Sequence, residues 1–244
     1  MYDKPISRFD FSFSKAYTLP IVESGEPVVP VGLCPDRVVV LQQYYLEGIK
    51  GALPEAYLRE EVFRRLVSAA RNLPKGYRFV LFDGWRPVKL QKGLFSAYVE
   101  RLRSEYPDAS EKTLQEMASK YVALPSKDPA RPSPHLTGGA VDCTIADEDG
   151  VMLDMGADFD ETSNRSKSRW LEDRLEAGET LSERELFVLR NRRMLHAVME
   201  KAGFTNYPEE WWHFDYGNQN WALITGAKNA IYGPASPRFA WRTP

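Results

Sequence analysis

The sequence predicts an α+β fold, with helices packed against a mainly antiparallel sheet in a single domain. Three observations predict it: a capped stretch with helical periodicity over residues 182–201, apolar runs of strand length at 78–82 and within 141–153, and a third strand pattern at 211–216.

Residues 1–36 mix aromatics with several prolines and the turn-like Glu23-Ser24-Gly25-Glu26-Pro27, which reads as an irregular arm over a core of residues 37–232. Pro54 is placed to start a helix whose Val62, Phe63, Leu66, Val67 and Ala70 share one face, ending near Asn72-Leu73-Pro74. The run RFVLF at 78–82 is a buried strand, and Asp83-Gly84-Trp85-Arg86-Pro87 interrupts it as a turn. A helical pattern resumes at Val88 through Leu90, Leu94 and Tyr98, so Arg86 stands at a strand-to-helix corner.

Residues 141–153 read as two short strands joined by an acidic turn at 147–150, an edge that can hold Asp142 rigidly. Ser182 with Glu185 forms a capping-box pattern, Leu186, Leu189, Leu195, Val198 and Met199 follow, and Gly203 supplies a stop. The basic cluster Arg190, Arg192 and Arg193 is expected to be a solvated face, and His196 inside this helix a structural residue. Residues 233–244 form a proline-rich tail.

With 244 residues, 43% of them hydrophobic, the chain can bury a substantial core. Its 32 Lys and Arg against 34 Asp and Glu lack the positive excess that phosphate-backbone binding needs, so nucleic acid is not an expected partner. The amino terminus has no apolar segment behind a basic one and no later stretch approaches a membrane span, so no membrane partner is expected. Two cysteines, Cys34 and Cys143, far apart and without a Cys-x-x-Cys spacing, argue against a disulfide framework or a thiolate zinc site and point to the cytoplasm. Cys143 follows Asp142 in a strand, faces the other way, and is expected to be a buried small hydrophobe.

Only three histidines occur, and two lie in the segments Ser133-Pro134-His135-Leu136-Thr137-Gly138-Gly139-Ala140-Val141-Asp142 and Glu210-Trp211-Trp212-His213. Two neutral imidazoles and one carboxylate make a three-ligand zinc set that leaves a fourth position for water. The glycines at 138 and 139 allow a tight turn between His135 and Asp142, and the small Ala140 leaves room. Taken alone, the first segment is a weak metal signal and reads more readily as a hydrogen-bonded loop histidine near a hairpin aspartate. Glu210, three residues before His213, is near enough to serve a metal-bound water, provided a turn or bulge around Trp211 overrides the strand alternation. Its plain alternative is a surface acid beside two core tryptophans.

Together, S-x-H-x-x-G-x-A-x-D followed by E-x-W-H resembles the D-alanyl-D-alanine dipeptidases of the VanX type. The segments Asp83-Gly84-Trp85-Arg86-Pro87, Met155-Gly156-Ala157-Asp158-Phe159-Asp160, and Asn191-Arg192-Arg193 with its helix and Gly203-Phe204 are similar too, in the same order, from about residue 55 to 217. The resemblance implies one zinc ion per chain on His135, Asp142 and His213, Glu210 as catalytic acid/base, and Arg86 steadying the oxyanion. It further implies that Asp160 takes the free amino terminus of a small D-amino-acid dipeptide and that Ser133 contacts substrate. Arg86 could instead bond loop carbonyls at its corner, and Asp160 could be one more acid beside Asp154, Asp158 and Glu161. No residue aligns firmly with the tyrosine that closes the family's pocket; Tyr44 and Tyr45 are candidates by proximity.

The implied function is zinc-dependent hydrolysis of D-Ala-D-Ala or a similar dipeptide, in peptidoglycan precursor metabolism or glycopeptide resistance. Competing readings are a D,D-carboxypeptidase acting on longer stem peptides, a non-catalytic metal-binding module, and a non-haem iron oxygenase, whose facial triad uses the same donors. The neighbouring Glu210 favours hydrolysis.

Overall fold

The computed structural model describes residues 2–119, 122, 126 and 128–237. Residues 238–244 of the expected tail lie outside the described residues. In chain order the elements are α1 (Phe13–Ala16), β1 (Val28–Pro30), β2 (Val38–Val40), α2 (Gln43–Leu46), β3 (Tyr57–Arg59) and α3 (Glu60–Ala70). They continue with β4 (Arg78–Asp83), α4 (Val88–Glu105), α5 (Glu111–Ala118), β5 (Ala140–Ala146), α6 (Trp170–Glu176), α7 (Glu183–Lys201), β6 (Thr205–Asn206), β7 (His213–Asp215) and α8 (Gln219–Thr225).

The main sheet runs β2-β4-β5-β7-β6, antiparallel at every pairing except the parallel β2 and β4. The apolar run of β4 is a buried strand, whereas valine-rich β2, at the sheet edge, buries Val38 and half-buries Val39 and Val40. Along β5, Val141, Cys143 and Ile145 alternate with Asp142 and Thr144, so the first set faces one side of the sheet and the second the other. Val141, Cys143 and Ile145 join Phe79, Leu81 and Phe214 in the core, against Val62, Leu66 and Ala69 of α3 and Leu195, Val198 and Met199 of α7. Each large aliphatic side chain so removed from water contributes roughly 1.5–3 kcal/mol. The opposite face carries the acids.

Local rules place α7 where expected: Ser182 accepts from the Glu185 N–H while the Glu185 carboxylate accepts from the Ser182 N–H, and Gly203 adopts φ 90° beyond the end. The helix expected from Pro54 starts at Glu60 instead. Tyr57–Arg59 forms β3, which pairs antiparallel with β1, so the stretch 1–36 contains a strand as well as the helical turn α1. Of the strand pair expected within 141–153, the second member is a single bridge between Ala146 and Met152.

The arginine cluster is not a solvated face throughout. Arg192 is 2% exposed and donates to the carbonyls of Met155, Lys167 and Arg165, and Arg193 forms a two-pronged pair with Glu172; Arg190 alone is exposed. Three backbone carbonyls hold the Arg192 guanidinium without a directly bonded carboxylate, tying α7 to the loop that leads to Asp160. Helices α4 and α5 pack on each other through Val99, Leu102, Leu114 and Ala118, apart from the main core. Among the described residues, no helix is long and apolar enough to cross a membrane.

Candidate active site

Strand register brings the first two groups together. Asp142 on β5 is the direct partner of His213 on β7, so both side chains leave the same face, and two residues along Ala140 pairs with Asp215 on that face. The β4–β5 ladder shifts register between Leu81 and Asp83, a bulge that sets Asp83 opposite Asp142. His135 arrives from a single 3-10 turn, residues His135–Thr137, closed by Gly138 at φ 71°, a backbone that disfavours any side chain.

His135 Nε2 lies 3.2 Å from His213 Nδ1 and 3.4 Å from Asp142 Oδ2, and His213 Nδ1 lies 3.0 Å from Asp142 Oδ1. Donor atoms about 2.0–2.1 Å from a tetrahedral ion stand roughly 3.3 Å apart, so this spacing fits a zinc ion. The tautomers fit as well. His135 Nδ1 is 2.8 Å from the Gly84 carbonyl, which can only accept, so that nitrogen carries the proton and Nε2 offers its lone pair. His213 Nε2 faces Asp215 Oδ1 at 3.1 Å, leaving Nδ1 toward the cluster. Asp215 is fully buried and accepts from the Asn218 and Asn220 amides.

Burial works against charge here, yet it is overcome. It would raise the Asp142 carboxyl, but His135 and His213 hold it far below the usual carboxylate range. It would lower His213, but Asp215 and Asp142 lift that imidazole well above its ordinary value. A field that so favours a proton on His213 also favours a cation between the three donors.

Glu210 reaches the cluster because residues 207–213 turn: Glu210 N–H bonds the Tyr207 carbonyl and His213 N–H bonds the Glu210 carbonyl. Its Oε2 stands 3.7 Å from His213 Nδ1. Desolvation, opposed by His213 and reinforced by Asp142 and Asp160, pushes the carboxyl up to about 7, although 38% of the side chain remains open to the cleft. The turn around Trp211 that Glu210 required is present.

Arg86 projects from the corner between β4 and α4, with its Nε on Asp83 Oδ2 at 2.7 Å and Nη1 on Gln91 Oε1 at 3.2 Å. Its Nη2 meets the Tyr44 hydroxyl at 3.3 Å and Asp142 Oδ2 at 3.4 Å. The Tyr44 hydroxyl donates to Asp160 Oδ2 at 2.7 Å, and the Phe159 ring packs tilted against Tyr44 and Phe82 and edge-on against Trp212. Tyr44 is thus the tyrosine at the cleft, whereas Tyr45 is 51% exposed. Asp160 holds a left-handed backbone at φ 58°, unusual for a residue other than glycine. Crowding by protein pushes its carboxyl up to about 6, and its exposure at the cleft mouth lets water weaken that push. The Ser133 hydroxyl accepts from the Leu136 N–H at 3.4 Å, at the base of the turn that carries His135.

Sequence reasoning thus singled out the residues that meet here, and missed Asp83 and Asp215. Asp215 was within reach: two residues beyond His213 in a strand, it must share that face. Asp83 came onto the face only through the bulge.

Residues 58–229 match the family of D-ala-D-ala dipeptidases. The D-alanyl-D-alanine dipeptidase of Synechocystis sp. is 30% identical over 239 residues, spanning 88% of this chain and 91% of that protein. That of Escherichia coli is 33% identical over 140 residues, 57% of this chain and 55% of its own. That of Enterococcus faecium is 33% identical over 147 residues, 57% of this chain and 62% of its own. With a match that covers most of its length and a full-length relative at this identity, the chain belongs to the D-ala-D-ala dipeptidase family of zinc peptidases.

Proposed function

We propose that the chain hydrolyses the peptide bond of D-Ala-D-Ala or a closely similar small dipeptide, with one zinc ion per chain held by His135, Asp142 and His213. The observation that carries the proposal is the convergence of three donors, an acid with a raised pKa and an anchored guanidinium. A zinc ion held by those donors would supply Lewis acidity for activating a water at neutral pH and polarising the scissile carbonyl.

Glu210, ionised, takes a proton from the attacking water and returns it to the leaving amine, which a carboxyl titrating near neutrality can do in both directions. Arg86 presents Nη2 toward the cleft, while Asp83 and Gln91 hold the rest of its fork, so the charge developing on the carbonyl oxygen meets a donor already in place. Asp160, bonded by Tyr44, receives the substrate ammonium, and Ser133 contacts substrate from the His135 turn. The Gly84 carbonyl keeps the His135 imidazole oriented through the cycle, and Asp215 does the same for His213.

Two free cysteines, one buried in the core, suit a reducing compartment, and we place the enzyme in the cytoplasm, acting on precursors of the cell wall. The exposure of Asp160 at the cleft mouth favours one competing reading, a D,D-carboxypeptidase that admits longer stem peptides. Assaying zinc-loaded protein against stereochemically defined dipeptides and tripeptides separates the two. Release of D-Ala from the D,D-dipeptide, with the L,L form and the tripeptide inert, is expected; turnover of no peptide would sink the hydrolase.

A further inference from the structure

The turn that carries His135 exposes three successive carbonyls, of Leu136, Thr137 and Gly138, that cannot be satisfied within the turn. Each has a fixed partner. Gly138 O accepts from the Arg59 backbone N–H at 2.9 Å, Thr137 O from Arg59 Nε at 2.8 Å, and Leu136 O from the Ala235 N–H at 3.0 Å. Arg59 is 3% exposed at the junction of β3 and α3. Its remaining four N–H groups are also used: Nη1 donates to Glu23 Oε1 at 2.9 Å and to the Glu26 carbonyl, and Nη2 donates to Glu23 Oε2 at 3.0 Å and to the Gly233 carbonyl at 3.1 Å. The guanidinium lies 5.0 Å from the centre of the Tyr232 ring.

Glu23 closes the loop by accepting from the Gly233 N–H as well, at 2.6 Å. Ala235 faces both ways: its N–H holds Leu136, and its carbonyl accepts from Trp85 Nε1 at 2.7 Å, next to Arg86. Segments 23–26 and 233–235 therefore meet around one buried guanidinium that grips the turn holding His135.

We propose that Arg59 is a positioning residue for His135, and that Glu23 and the segment 233–235 hold it in place, making both part of the metal-site scaffold. This rests on His135 being a metal ligand. A planar fork with all five donors spoken for has one orientation, and a turn bonded to its Nε through the Thr137 carbonyl, and to the Arg59 backbone N–H through the Gly138 carbonyl, shares that rigidity. Loosening the fork leaves every ligand atom chemically intact but lets Nε2 wander from the other donors, so the ion should leave faster. Asp160 and Tyr44, which take the substrate ammonium, lie outside this turn.

The experiment measures zinc loss from the full-length protein to excess chelator, together with thermal melting and the visible absorption of the cobalt-substituted form. Arg59→Lys keeps the charge but not the fork. It should lose zinc about tenfold faster with an altered cobalt band. Glu23→Gln, at a more exposed partner, should shift both in the same direction by less, and it carries the test where the lysine variant does not fold. Arg193→Lys, which weakens the buried pair with Glu172 between α7 and α6, provides the comparison for general destabilisation. It should lower melting without speeding zinc loss. Unchanged zinc loss in both Arg59→Lys and Glu23→Gln overturns the proposal, as does an equal acceleration in Arg193→Lys. Wild-type protein that binds no zinc would instead remove the metal assignment itself, and this proposal with it.

Discussion

Asp142 and His213 are direct partners across β5 and β7, with Asp142 Oδ1 3.0 Å from His213 Nδ1. Both donors are thus borne on paired strands whose backbone bonds do not depend on the side chains. Replacing His135, Asp142 or His213 by alanine should therefore leave the sheet folded and abolish tight zinc binding, because three donors cannot spare one. Asp215→Asn keeps a hydrogen-bonding partner for His213 but not its charge, and should weaken zinc about 10–100-fold. Zinc content after mild chelation is the measurement; near-stoichiometric retention by all three alanine variants would contradict the ligand set.

For Glu210 the direction of the pKa shift yields a stability test independent of turnover. The carboxyl is raised from 4.5 to about 7 in the folded chain, first by desolvation. Between those values the folded state binds more protons than the unfolded one, so stability falls as pH rises through this window. Below it both states are protonated and the penalty vanishes. In metal-free protein, Glu210→Gln should melt higher than wild type at pH 8 and at the same temperature near pH 4. In zinc-loaded protein the same variant should keep its metal and lose roughly a hundredfold or more in rate. Near-normal turnover would remove Glu210 from proton transfer.

What could be read from the sequence divides along physical lines. Segments 135–142 and 210–213 carry several functional groups within one turn or strand, so residue type and spacing marked them as candidates, and the combined motifs of the resemblance assigned their roles. The capping box at Ser182 and Glu185 is equally local. Tyr44, by contrast, meets Asp160 across 116 positions, and nothing near Tyr44 marks that approach. The β1–β3 pairing that shortens α3 is a long-range choice of the same kind. Arg192 looked solvated because its partners are backbone carbonyls, which have no residue signature. Asp83 reached the acidic face through a bulge that strand alternation does not forecast.

Arg86 is held on three sides before substrate arrives, by Asp83, Gln91 and Tyr44. A donor so preorganised acts on charge that exists only in the transition state, so Arg86→Ala should lower kcat far more than it raises KM. Lysine should rescue little, since a single ammonium cannot satisfy Asp83 and Gln91 and still face the carbonyl oxygen. Steady-state kinetics of the two variants decide it. A change confined to KM would make Arg86 a substrate clamp.

The selectivity for a free amino terminus should reside in Asp160. Its backbone is fixed in the left-handed region, its carboxylate is bonded by Tyr44 2.7 Å away, and Arg86 occupies the other side of that hydroxyl. An ammonium group in this corner adds a charge-assisted partner to a carboxylate that protein crowding otherwise disfavours. N-acetylation removes that charge and adds bulk beside Phe159, so N-acetyl-D-Ala-D-Ala should be a far poorer substrate than the free dipeptide. Asp160→Asn keeps the shape and a bond to Tyr44 but not the charge; it should retain zinc, lose most dipeptide activity, and discriminate little between free and acetylated substrate. Stem tripeptides should be poor substrates of the wild type for the same reason, since their extra residue must enter the corner that takes the amine. Comparable kcat/KM for the free dipeptide, its acetylated form and a tripeptide would show that Asp160 does not read the terminus, and would move the enzyme to the carboxypeptidase side while leaving the metal site as it stands.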